Sequence, residues 1–184
     1  RDRHMVETFE ALVSYHGPDT KVIIWEHNTH IGDARATDMA DDGLVNVGQL
    51  VRELYQEIGV FIVGFGSHSG SVIAGDHWGG PMKVMNVPPA IKGSLEDSMH
   101  QIDGENKMMI FNENPELQEI FSKRMGHRAI GVVYRPEYER GNYVPTVLSK
   151  RYDAFLYLDK TRALHPLKIN PDGNKMPETY PFGI

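Results

Sequence analysis

The sequence contains no cysteine. That excludes disulfides, a cysteine nucleophile and a cysteine-ligated zinc site, and it fits a reducing, cytoplasmic setting. No segment approaches the ~18 consecutive apolar residues of a membrane span, so a membrane is not an expected partner. No signal peptide is expected, because Arg1-Asp2-Arg3-His4 leads straight into an amphipathic pattern. The chain opens inside that pattern without a start methionine, so Arg1 reads as a cut or processing boundary. Basic charge is not in excess: the formal net charge is -6. Phosphate binding wants a basic surface, so nucleic acid is not an expected partner. There is no internal repeat, low-complexity block or linker, and 184 residues suit one domain with a real core.

What is present is an ordered globular composition, 40% hydrophobic and 24% charged, which argues against disorder. Residues 2–16 read as a helix with Met5, Phe9, Leu12 and Val13 on one face, stopped by Gly17-Pro18. The continuous apolar run in Lys21–Glu26 predicts a strand buried on both faces. A long polar loop, His27–Gly43, follows, and loops of that length are more often functional than idle. Asn46 caps a predicted helix over 47–58. Val60–Phe65 reads as a strand, paired with Ser71–Ala74 across a polar turn, Gly66–Gly70.

Gly75–Lys92 reads as a second long loop. Ser94 and Asp97 resemble a capping box opening a helix to Ile102. Lys107–Phe111 is a predicted strand, and Asn114-Pro115-Glu116 starts a helix running to Arg124. Strand Ala129–Tyr134, loop Arg135–Asn142, a helix over 144–150 and strand Ala154–Leu158 complete the order, before a Pro-rich tail from His165. This alternation predicts an α/β domain with a mixed, mainly parallel sheet flanked by helices.

Ligands in open α/β sheets bind beyond the carboxyl ends of strands. Three positions qualify: His27 with His30 after the first strand, Arg135 after the 129–134 strand, and Asp159 after the last. The first is strongest, since two imidazoles that titrate near neutral pH leave on one polar loop. Asn28 lies between them. Asp33 can orient an imidazole, and Arg35 can stabilise an oxyanion or anchor a carboxylate. A divalent metal is the alternative use of the pair, with Glu26, His27 and His30 as donors and His68, Asp76 and His77 in reserve.

Other features carry less. Gly64-Phe65-Gly66 with Gly70 has the wrong spacing for a dinucleotide fingerprint. Ser67-His68-Ser69-Gly70 lacks the nucleophile-elbow pattern and reads as a hairpin turn. Met108-Met109 reads as core, and Trp78 beside Gly79-Gly80-Pro81 either walls an apolar pocket or simply packs.

The stretch from Lys21 to Thr37, with His27-Asn28-Thr29-His30-Ile31-Gly32-Asp33 at its centre, resembles the central motif of the erythromycin esterase family, which includes proteins labelled for succinoglycan biosynthesis. Arg1–Met5, Asn46–Arg52, Val63–Gly66, Trp78–Pro81, Gly131–Glu137, Tyr152–Phe155 and Pro177–Gly183 are similar to that family in the same order. The resemblance implies a hydrolase of ester substrates, the macrolactones of macrolide resistance being the characterised case, with no cofactor and water activated by histidine. It implies that His27 and His30 are catalytic, polarising the ester carbonyl and passing protons. It also implies that residues 1–184 form the C-terminal portion of a longer domain, truncated at its N-terminus. The main base histidine and its glutamates belong to the missing N-terminal half, so this chain alone is expected to be inactive. Glu26 departs from the family's small apolar residue, and a carboxylate there is expected to raise the pKa of His27 or supply a metal ligand.

Overall fold

The structure, a computed structural model, describes residues 1–164. The tail expected from His165, including Pro177–Gly183, lies outside the described residues. Helix α1 (Asp2–His16) forms as its spacing predicts and ends at Gly17, whose φ of 96° suits glycine. Val6, Met5 and Phe9 pack on Val47 and Val51. Leu12, expected on that face, is exposed.

Lys21–Glu26 is not a strand. Ile24 alone reaches the apolar cluster, while Ile23 and Trp25 are each 89% exposed. Apolar composition signals burial, but a strand also needs a neighbour for its peptide groups, and among the described residues none lies beside this run. The loop after it tightens at once into the one-turn helix α2 (Asn28–Ile31) and two 3-10 turns, Ala34–Ala36 and Asp38–Ala40. Helix α3 (Val47–Leu54) is capped by Asn46, which accepts from the Gln49 N–H at 3.0 Å. It stops before residue 58, where Tyr55 leaves helical geometry and sets its ring edge-on to Phe9.

Strand β1 (Val63–Ala74) runs straight through the expected Gly66–Gly70 turn, so Ser67-His68-Ser69-Gly70 is strand rather than hairpin. The glycines here mark close packing. A Cβ on Gly64 would lie 2.7 Å from the Tyr152 ring, and one on Gly66 2.6 Å from Phe155. The true hairpin joins β1 to β2 (Lys83–Val87), inside the expected 75–92 loop.

Helix α4 (Leu95–Asp103) begins at Ser94, whose hydroxyl accepts from the Asp97 N–H at 3.2 Å. Strand β3 (Lys107–Ile110) follows, with Met109 in the core and Met108 exposed. Helix α5 (Pro115–Ile120) is shorter than expected, because β4 (Arg124–Arg128) starts where the helix was to end. Residues 129–134 make only one bridge, Gly75 to Val133. The expected 144–150 helix is instead strand β5 (Tyr143–Val147) and helix α6 (Leu148–Arg151). Val144, Thr146 and Val147 favour strand, and Pro145 opposes a helix interior.

Strand β6 (Ala154–Thr161) pairs parallel with β1 and antiparallel with β3. The sheet order is β2-β1-β6-β3, with β4 and β5 as a separate ribbon. The sheet is therefore mixed and flanked by helices, as expected. It is not mainly parallel: β1–β6 is the parallel pair, because β2 returns directly along β1 and β3 meets β6 reversed. Leu95, Met99, Phe111, Leu148, Tyr152, Phe155 and Tyr157 fill the core beneath it. Among the described residues no helix is long and apolar enough to cross a membrane.

Candidate functional site

The His27–His30 stretch is a tight turn pinned to the sheet. His27 caps α2, its Nδ1 accepting from the Thr29 N–H at 3.3 Å. Its Nε2 lies 2.8 Å from the Ile130 carbonyl, which only an N–H can satisfy, so the proton sits on Nε2. Both nitrogens are thus engaged. The protein packed around this partly exposed ring lowers its pKa; the Ile130 bond opposes that, while His30, Arg151 and His127 add to it. Glu26 does not raise the pKa of His27 as expected, since its carboxyl belongs to the neighbourhood of His30, Asp2 and Arg1.

Asn28 turns inward. Its amide donates to the Phe65 carbonyl at 2.5 Å and its Oδ1 accepts from the Phe65 N–H at 3.1 Å. The carboxamide fills the place of a neighbouring strand at that residue of β1. Asn46 locks the other end of the turn, donating to the carbonyls of Thr29 and Gly32. Gly48 allows the approach, because a Cβ there would lie 1.8 Å from the Ile31 carbonyl oxygen.

His30 is set differently. Its Nδ1 lies 2.9 Å from the Asp2 carboxylate, and its Nε2 lies 2.7 Å from the Arg1 guanidinium. Nδ1 therefore donates and Nε2 carries the lone pair, the arrangement of a carboxylate-oriented base. Glu26 stands beside it with one buried oxygen that has no partner among the described residues, and burial raises its pKa. Sequence reasoning missed Asp2; its only signal was its place in the Arg1–Met5 stretch that resembles the family.

Asp33 and Arg35 form a local ion pair. Arg35 grips the Asp33 carboxylate with Nε and Nη2, at 3.0 and 2.7 Å, and Arg52 bridges Asp33 to Asp153. Burial opposes ionisation of Asp33, but the Arg35 hydrogen bonds win and hold its pKa down. A cavity of about 320 Å³ is lined by Asp33, Arg35, Ala36, Arg52 and Lys150. Neither residue touches the histidines through any hydrogen bond among the described residues.

Arg135 and Trp78 are linked to the turn by residues 130–135. Ile130 receives His27, Gly75 bonds Val132 and Tyr134, and Arg135 donates to the Asp76 carbonyl at 2.9 Å. Trp78, two residues on, is 59% exposed. Asp159 does not leave a strand end: it sits within β6, holding His100 and Tyr157 at 2.7 Å each. His100 stacks on buried His68, centroids 3.8 Å apart. Among the described residues no three His, Asp or Glu side chains converge to hold a metal, so Glu26, His27 and His30 do not form that site.

Two buried features escaped the sequence. Glu96 and His127 are both fully buried, with Oε1 and Nδ1 2.6 Å apart. Arg151, also buried, donates to Thr146 and to the Asn28 carbonyl, with no carboxylate within ion-pair distance among the described residues. Only the fold brings these distant positions together.

A family model for erythromycin esterase matches residues 1–161. Three solved structures share the fold. A Bacillus cereus protein is 16% identical, covering 76% of this chain and 33% of its own, with a TM-score of 0.61. A succinoglycan biosynthesis protein is 17% identical, covering 77% and 33%, with a TM-score of 0.61. A mutant of the erythromycin esterase EreC in its open conformation is 20% identical, covering 87% and 36%, with a TM-score of 0.57. The chain spans about a third of the length of each.

Proposed function

The chain belongs to the erythromycin esterase family, and from that premise we propose that it carries part of a hydrolytic site for a small-molecule ester. The observation that supports this most is the Asp2–His30 pair, which leaves His30 Nε2 as the lone-pair nitrogen. Such a nitrogen takes a proton from attacking water and returns one to the leaving alkoxide. Arg1, bonded to that nitrogen, is a cation for the oxyanion once a substrate displaces it. His27 is a neutral positioning group, since its Nε2 proton is committed to Ile130.

The catalytic unit in this reading is a longer domain. Its remaining portion covers the exposed face of Ile23 and Trp25 and completes the proton-transfer machinery. A macrolactone is the first substrate to try, because a mutant of EreC shares the fold. The test compares macrolactone hydrolysis by this chain with hydrolysis by a longer protein containing the rest of the domain. The longer protein should hydrolyse the ester, and His30→Asn should remove about 10²–10⁴ of its rate. Full activity in this chain alone, or an unaffected His30→Asn variant, overturns the proposal.

A second reading is a non-catalytic protein on the same scaffold. It is favoured by the engagement of both His27 nitrogens. No hydrolysis across a panel of esters by the longer protein would support it.

A further inference from the structure

We propose that Glu96 and His127 are a buried positioning pair that fixes the side chain of Asn28, and with it the turn bearing His27 and His30; the functional importance of that turn rests on the hydrolytic reading above. The pair sits behind the turn, away from solvent. Glu96 comes from the first turn of α4 and His127 from β4. Glu96 Oε1 accepts from His127 Nδ1 at 2.6 Å and from the Arg128 N–H at 3.0 Å. The second oxygen, Oε2, is buried with no hydrogen-bond partner among the described residues. A buried carboxylate placed this way is costly unless its contacts are good.

The carboxylate decides which imidazole nitrogen holds the proton. With Nδ1–H given to Glu96, Nε2 presents a lone pair. That lone pair faces two donors, the Asn28 Nδ2 group and the Tyr152 hydroxyl, each at 3.5 Å. The same Asn28 amide donates to the Phe65 carbonyl, while Oδ1 accepts from the Phe65 N–H. An Asn28 amide flipped by 180° would set its oxygen against the Phe65 carbonyl and against the His127 lone pair. The pair therefore supports one orientation of the carboxamide. A proton on His127 Nε2 would instead face the Asn28 NH₂ group and oppose it. Tyr152 and Phe155 hold the ring edge-on, at 6.0 and 5.3 Å between centroids, so it does not turn away.

Long-range ¹H–¹⁵N correlation of the histidine rings in the labelled chain tests this without any measurement of hydrolysis. At neutral pH, His127 should carry its proton on Nδ1, with Nε2 in the unprotonated range. Proton on Nε2, or on both nitrogens, overturns the proposal in the native chain, whether or not any variant folds. In His127→Asn, which keeps a donor toward Glu96 but loses the Nε2 acceptor, the Asn28 carboxamide protons should exchange about fivefold faster, the loss of roughly one hydrogen bond. In Glu96→Gln and His127→Asn alike, the titration midpoint of His27 should shift from its native position. Folded variants with unchanged Asn28 exchange and unchanged His27 titration overturn the proposal. Loss of ester hydrolysis by the longer protein would bear on the hydrolytic reading alone, since the ring tautomer is read separately.

Discussion

Lys21–Glu26 and Ala154–Leu158 both read as strands, and they meet opposite fates, the second alone becoming strand, as part of β6. β6 has β1 on one side and β3 on the other, and Phe155 and Tyr157 are fully buried. The 21–26 run has no ladder, and Trp25 stands in solvent. Composition is alike in the two; neighbours are not. A run of apolar residues specifies a demand for cover, and strand geometry follows only where another strand answers its peptide groups.

The sharpest way to break this contrast is to truncate one ring in each. Phe155→Ala should cost about 3–5 kcal/mol in urea unfolding, the usual penalty for emptying a core aromatic site. A loss near zero would mean the sheet does not depend on that ring. Gly66→Ala comes next, at about 1–3 kcal/mol, because the new methyl meets Phe155. Combining it with Phe155→Ala should make the methyl nearly free, and simple additivity in that cycle would deny the contact.

A pH scan separates the regions more gently. Burial lowers the pKa of His68, with His100 adding to it and Asp159 opposing, and the protein around His27 lowers that one too. The unfolded rings take protons near pH 6.5, the ordinary histidine value, while the folded ones resist. The stability they contribute is therefore complete above about pH 6.5 and falls as pH drops below it toward the depressed values. Urea midpoints should decline over that window. His68→Phe and His27→Gln should each flatten the decline. The smallest effect belongs to Trp25→Ser, which should stay within about 0.5 kcal/mol in this chain. A large loss there would show that the 21–26 run is already covered.

Local signals were the legible ones. Asn46, Ser94 and Asn114 cap helices as expected, because a short polar side chain before a helix acts within three residues. The His27–His30 turn was visible as paired imidazoles in a polar loop. Strand β2 was not, since Lys83–Val87 lies among glycines and prolines and owes its conformation to β1. Gly66 and Gly70 looked like turn residues because glycine marks both turns and tight packing, and only what lies opposite, the Phe155 ring for Gly66 and the Thr161 backbone for Gly70, tells them apart. Glu96 and His127 lie 31 residues apart on different elements, a separation with no periodicity to read. Arg35 and Asp33 read as neighbours on one polar loop, and the structure joins them in a two-point ion pair.

Asn28 holds the peptide group of Phe65 and leaves its side chain alone. That ring is 46% exposed. Every residue except proline offers the same N–H and C=O to Asn28, so position 65 is free to change shape, size and polarity while the histidines keep their place. Variation there leaves the hold of Asn28 on the strand intact.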